Sequence, residues 1–307
     1  MTESLAFLLA GTLAAATPLL FAAMGEVVVE KSGVLNLGIE GMMATGAVTG
    51  FVIVAQGGAP GTALAAGALA GALLSCVFGA LVLVFLAHQV AAGLAVGILG
   101  LGASVQIGKA FEGRTIAPIP RIDLGPLSEL PVIGRALFGQ TPMVYAALVS
   151  VLLVWWFLNR SRAGLVVRAV GESPSAADAI GYPVAWIRFA AICFGGAMAG
   201  LGGASLTLAY TPLWADGLIA GRGWIVVALV VFGAWRPGRI LLGAWLFGAV
   251  SLLELTLQGI GLAIPSQLLS ALPYLVTIAV LAIISRDPRR LRLDQPVSLG
   301  RTHVPRA

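Results

Sequence analysis

Apolar residues run along this chain in blocks of near-spanning length, separated by short stretches that hold most of its charges. A block of about 20 apolar residues, wound as a helix, matches the thickness of a bilayer's hydrocarbon core. Nine such segments can be drawn, at roughly 5–25, 34–55, 62–87, 90–110, 142–159, 186–210, 218–235, 238–259 and 266–285. The expected fold is therefore all-α, a polytopic membrane helix bundle of about nine transmembrane helices. Glycines four residues apart recur inside the segments, at Gly46/Gly50, Gly67/Gly71, Gly93/Gly97 and Gly196/Gly200. Lipid supplies no hydrophobic force between helices, so close backbone approach at small residues is what holds such a bundle together.

Composition agrees. Hydrophobic residues make up 59% of the 307 and charged residues 10%, too few charges to coat a water-facing globule. A soluble enzyme, a disordered chain and a nucleic-acid-binding domain are excluded on that ground. The net charge of +5 is read as a membrane protein's basic bias towards the cytoplasm. Arg160, Arg162 and Arg168 follow the fifth segment, Arg236 and Arg239 precede the eighth, and the tail holds Arg286, Arg289, Arg290, Arg292, Arg301 and Arg306. With alternating spans all three groups fall on one side, expected to be cytoplasmic. The N-terminus, without Lys or Arg before Lys31, then lies outside, and its first segment reads as a retained span rather than a cleaved signal. A transmembrane domain over 1–285 results, with a cytoplasmic loop at 160–185, an extracytoplasmic loop at 111–141 and a basic cytoplasmic tail at 286–307.

Enzyme chemistry finds little purchase. The stretch from Gly102 to Lys109 has one residue too many for a phosphate-binding loop and lies inside an apolar span. His88 and His303 stand apart, so no zinc set forms, and Cys76 and Cys193 each sit alone in an apolar run as small fillers. No serine occupies a G-x-S-x-G frame.

Ionisable residues inside the spans each ask for a reason, because a carboxylate at the bilayer centre costs about 2.5–3.5 kcal/mol on insertion scales. Glu40 has Asn36 four residues before it, on one helix face if the helix runs through both; the pair either locks a helix end or lines a polar path. Ser251, Glu254 and Gln258 form a second polar stripe, again either path-lining or structurally paired. Pro18, Pro265 and Pro273 mark breaks or kinks. Phe194, Trp214 and Trp224 are aromatic candidates for stacking on a solute or for the interfacial belt.

The cytoplasmic loop carries the sharpest local pattern. Ser173 as N-cap, Pro174 as first helical residue and Gly181 just past the end define a short helix over Pro174 to Ile180, with Ala176, Ala177 and Ile180 as its less polar positions. Ordering so short a helix costs entropy. It suits either a rigid knob for a partner's groove or a helix lying at the lipid interface.

With NLGIEGMM, HQVAAGLAVGILGLG, RSRAGLVVRAVGESPSAADAIGYPV and AGRGWIVVALVVFGAWRP in view, the chain resembles the permease subunits of bacterial ATP-driven (ABC) importers for branched-chain amino acids, simple sugars and nucleosides. It is most like the smaller of two unlike permeases in nucleoside importers. The resemblance implies that the loop helix is a coupling helix docking on a cytoplasmic ABC ATPase, through Arg168, Gly171, Glu172, Pro174, Ala177 and Gly181. It also implies a second permease, an extracytoplasmic solute-binding lipoprotein, a place in the bacterial inner membrane, and ATP and magnesium used by the ATPase with no cofactor in this chain. No nucleic acid is implied. A nucleoside is the expected solute, with a simple sugar as the alternative. An ion-coupled carrier working without ATPases is the rival class, for which Glu40 and Glu254 would have to form a relay.

Overall fold

The computed structural model describes residues 2–122, 125, 134–219, 221–259, 271–284 and 294–304. Among them the regular elements are helices: α1 (Thr2–Lys31), α2 (Ile39–Ala55), α3 (Pro60–Leu83), α4 (Gln89–Gly108), α5 (Pro142–Arg160), α6 (Arg162–Glu172), α7 (Pro174–Ala179), α8 (Val184–Ser205), α9 (Arg222–Phe232), α10 (Pro237–Gly259) and α11 (Leu272–Ile284). The all-α expectation holds for these residues.

The span count is less simple. Six helical stretches are long and apolar enough to cross a bilayer: Ala6–Lys31, Pro60–Leu83, Gln89–Phe111, Pro142–Arg160, Val184–Tyr210 and Pro237–Gln258. Ile39–Ala55 and Arg222–Phe232 are apolar but shorter, and of the ninth segment only Leu272–Ile284 is described as helix. Nine full spans are therefore not reached by length among the described residues. At 1.5 Å per residue, the 11-residue α9 is about 16 Å long, half of a ~30 Å hydrocarbon core.

Close helix crossings follow the glycine pattern. At the meeting of α2, α3 and α8, a Cβ on Gly46 would strike the Gly200 carbonyl, and one on Gly71 would lie 2.8 Å from the Gly200 Cα. At the α2–α4 crossing, a Cβ on Gly100 would come within 2.6 Å of the Gly41 carbonyl oxygen. All four predicted glycine pairs thus have a member where backbones touch. The same α3–α8 crossing places the Cys76 and Cys193 thiols 3.5 Å apart. They are free, but not separate as their sequence settings suggested.

The first helix is the hub of the bundle. It packs against α5, α8, α9 and α10, and its inner face from Ala16 to Val29 belongs to the main apolar core. Past α4 and α8, residues 113–119 run beside 208–214, the last turn of the Val184–Tyr210 stretch and the segment that follows it. Gly113 N donates to Trp214 O (3.0 Å), Ile116 N to Pro212 O (3.1 Å) and Ile119 N to Leu208 O (2.9 Å). Arg135 and the acidic residues Asp123 and Glu129, Pro265, and the tail arginines Arg286, Arg289, Arg290, Arg292 and Arg306 have side chains outside the described residues.

Candidate functional site

The loop at 160–185 folds as two capped helices. Ser161 Oγ accepts from Gly164 N (2.9 Å) to start α6, and Ser173 Oγ accepts from Ala176 N (3.3 Å) to start α7 with Pro174 at its first position. Gly181 adopts φ +91°, which a side chain would strain, and its N–H bonds Asp178 O (2.9 Å). The start and stop signals read from sequence are the ones used, although Ile180 caps α7 rather than belonging to it.

Alternation of faces within α7 separates its apolar residues. Ala177 is 3% exposed and packs with Val170 and Val184, so it anchors the knob to α6 and α8. Ile180 is 73% exposed, and Ala176, Tyr182 and Glu172 also face outward. Gly171 is pressed against the end of α1, where a Cβ would strike the Lys31 carbonyl, and Arg168 keeps a buried Nε with no partner.

Beneath the knob lies a network that the sequence pattern did not reveal. The guanidinium of Arg188, on α8, donates to Ser32 O (3.1 Å), Ser298 Oγ (3.1 Å) and Arg301 O (3.3 Å). Ser298 in turn donates through both N (3.0 Å) and Oγ (2.6 Å) to Gly171 O. Gln89 accepts from Leu35 N (2.8 Å) and donates to Arg301 O (3.3 Å), and His303 Nε2 lies 3.8 Å from Asp178 Oδ2. Residues 294–304 therefore strap the loop helices to the ends of α1, α4 and α8. Burial, followed by the positive charge of Arg188, lowers the His303 pKa, against the opposing pull of Asp178. The Asp178 carboxylate, 3.8 Å away and partly exposed, opposes this shift without reversing it.

The first polar pair departs from expectation. Asn36 does not share a helix face with Glu40, because α2 begins only at Ile39. The Asn36 Oδ1 instead accepts from Gly38 N (2.9 Å), an Asx turn that competes with helix formation. Its backbone N–H donates to Glu26 Oε1 (3.4 Å), and its side-chain Nδ2 donates to Met42 Sδ (3.4 Å). Glu40, in the first turn of α2, accepts from Gly221 N (2.8 Å) at the head of α9, and its other oxygen is buried without a partner. A half-length helix thus presents its N-terminal amides, and the positive end of its dipole, beside a carboxylate within the bundle. On α10, Gln258 Nε2 donates to Glu254 Oε1 (3.2 Å), and Ser251 sits one turn earlier, partly exposed.

Two carboxylates escaped the sequence reading. Glu26 and Glu30 lie one turn apart in α1 and are both buried. Trp235 Nε1 donates to Glu30 Oε2, and the turn that brings Trp235 there has positive φ at Ala234 (48°) and Trp235 (55°). Such strain persists only where surrounding packing enforces it. Their signal was available, as two acids at i, i+4 in an otherwise apolar run. Of the aromatic candidates, Trp214 is 4% exposed and packs against Phe51 with ring centroids 6.1 Å apart, so here it is a core residue. Phe194 and Trp224 are exposed on the bundle surface. No group of three metal-ligating side chains occurs among the described residues.

Comparison with known proteins places this architecture. Residues 8–281 match the family described as branched-chain amino acid transport system, permease component. The chain is 40% identical to the putative glucose ABC transporter permease of Haloferax volcanii, over 95% of both chains. It is 32% identical to the guanosine ABC transporter permease of Bacillus subtilis, over 92% of both. It is 33% identical to the nucleoside ABC transporter permease of Lactococcus lactis subsp. cremoris, over 92% of this chain and 93% of that one.

Proposed function

Since this chain belongs to the branched-chain amino acid transport permease family and is an ABC transporter permease, a multi-pass membrane protein, we propose that it forms with a second permease an uptake path for nucleosides, driven by a separate ATPase. Residues 1–285 are taken as the permease domain and 286–307 as its cytoplasmic tail.

The observation that supports coupling is the build of α7. One side is fixed through Ala177 to Val170 and Val184, and the other offers Ile180 and Tyr182 to a partner. A knob so anchored passes displacement to α6 and α8 instead of absorbing it. Arg168, Gly171, Glu172, Pro174 and Gly181 shape and cap it. The cytoplasmic ABC ATPase that closes on ATP and magnesium supplies the work through its differential contacts in two states, and this chain transmits it. An extracytoplasmic lipoprotein delivers the solute to the 111–141 side.

Within the bundle the path is assigned to Glu40 at the head of α9, with Asn36 shaping the turn before it, and to Ser251, Glu254 and Gln258 on α10. Broken or half-length helices that aim backbone amides at the interior suit binding of polar solutes in lipid. A simple sugar is the second reading, favoured by the 40% identity to a putative glucose permease.

Both readings are tested by reconstituting the chain with its second permease and ATPase in vesicles and following guanosine and glucose accumulation with ATP. Guanosine uptake supports the first reading, and glucose uptake alone replaces it with the second. Uphill accumulation by the lone chain would overturn the coupling account.

A further inference from the structure

A cavity of about 440 Å³ opens where the ends of α1, α5 and α6 meet the start of α10. Four cationic side chains line it: Lys31, Arg168, Arg236 and Arg239. Asp294 is the acidic residue in the wall. It takes Arg236 Nε on its carboxylate (2.8 Å) and Lys31 Nζ on its backbone carbonyl (2.5 Å). Neither contact uses Arg168, whose Nε is buried without a partner, or Arg239, which is exposed. Glu172, outside the wall, also acts electrostatically on Lys31, and even with both acids counted the four cations keep an excess of positive charge.

Its remaining wall is mixed, with Asn159 and the buried Trp235 beside an apolar edge. Trp155 and Leu242, both well exposed on the bundle's outer surface, border it together with Leu158. A tryptophan at a helix end beside exposed leucine marks the boundary between headgroups and acyl chains. Pro237 and Gly238 open the 23-residue α10 at the same place, adding the positive end of a long helix.

The geometry points to a binding site for an anionic phospholipid, its phosphodiester held by Arg168 and Arg239 and its acyl chains laid along Trp155 and Leu242. A phosphate ester is the shared chemistry that the cations would recognise, and the apolar wall selects a lipid over a free anion. Basic pockets between spans on the cytoplasmic side are where such headgroups bind. Only the choice of leaflet rests on the orientation proposed above; the site itself is defined by the side chains.

The test uses the full chain in neutral detergent, titrated with phosphatidylglycerol or phosphatidylcholine in mixed micelles, with bound lipid counted by native mass spectrometry. Phosphatidylglycerol should be retained in preference. Arg239→Gln should weaken it roughly fivefold, the worth of one basic contact at a charged surface, while Arg239→Lys stays near the parent. Arg239 is exposed, so its replacement leaves the fold intact, and Arg168→Gln gives an independent second reading. Equal retention of the two lipids, or unchanged affinity in both glutamine variants, would overturn the assignment. Displacement of phosphatidylglycerol by millimolar inorganic phosphate would overturn it in favour of a soluble anion. Failure of ATP-driven uptake would leave this binding result unaffected, so the two readings fail separately.

Discussion

Arg188 and Ser298, 110 residues apart, share a 3.1 Å hydrogen bond beneath the loop helices, with the arginine 1% exposed. A guanidinium so deeply enclosed requires acceptors on several sides, and it finds them on the end of α1 and on the returning tail. Ser298 is the pivot, since it accepts from Arg188 and donates to Gly171 at once. Ser298→Ala should cost about 1–3 kcal/mol, because it leaves a donor of a buried charge unmet. Denaturant unfolding in detergent measures this, and Ser298→Thr, which keeps the hydroxyl, should recover most of it. An alanine variant as stable as the parent would show that water replaces the serine.

Glycine tolerance should divide by position. A Cβ on Gly203 would strike the Met43 carbonyl, whereas one on Gly102 meets nothing within 4 Å. Gly203→Ala should lower the thermal midpoint, since forcing helices apart costs about 1–3 kcal/mol. Gly102→Ala should leave the midpoint unchanged or raise it, by up to about 1 kcal/mol of helix propensity.

The two apolar faces of the knob make opposite predictions. Ala177→Asp places a carboxylate against Val170 and Val184 and should reduce the amount of folded protein. Ile180→Asp alters only an exposed residue and should leave protein level intact, while ATP-driven uptake falls at least about fivefold, the lower end of ordinary coupling energies. Full uptake by the Ile180 variant would remove that residue from the docking surface.

Glu40 can be separated into its two roles by chemistry. Glu40→Gln keeps an oxygen to accept from Gly221 N, and Glu40→Ala does not. If its part is confined to capping α9, the glutamine variant should be as stable as the parent and the alanine variant about 1 kcal/mol worse. Loss of uptake in the glutamine variant, with stability kept, would place the negative charge in the path. Glu254→Ala, on the more open α10 stripe, should likewise impair uptake more than assembly.

His303 gives the tail a pH signature. Its folded pKa lies below the ordinary value of about 6.5, so the unfolded chain binds the proton more readily than the folded one. Stability from this residue is full above pH ~6.5 and is lost as pH falls from there towards the depressed folded value. His303→Gln should therefore narrow the difference in unfolding midpoint between pH 7.5 and 5.5, relative to the parent; an identical difference would exonerate the histidine.

Local signals were legible in the sequence wherever they acted locally. The Ser173, Pro174 and Gly181 punctuation of α7 works as written, because caps and positive-φ glycines depend on a few neighbouring residues. Glycine spacing likewise announced the crossings, though not which helices would meet there. Asn36 was misjudged for the same local reason read too simply: an i, i+4 spacing implies a shared face only inside a helix, and its side chain ends the turn before one begins.

By itself, the sequence determined that this protein lives in lipid, that it is built of close-packed helices, and that a capped knob interrupts them, since burial, small-residue packing and capping are written into composition and short spacing. Only the tertiary structure decided that Ala177 faces inward and Ile180 outward, that Glu26 and Glu30 sit buried on the central helix, and that a tail from the far end of the chain seals the loop to the bundle. Those outcomes depend on how helices pack: Ala177 turns inward only because α6 and α8 converge on it, and Glu30 and the tail are held by partners up to 205 residues away, geometry that spacing alone does not encode.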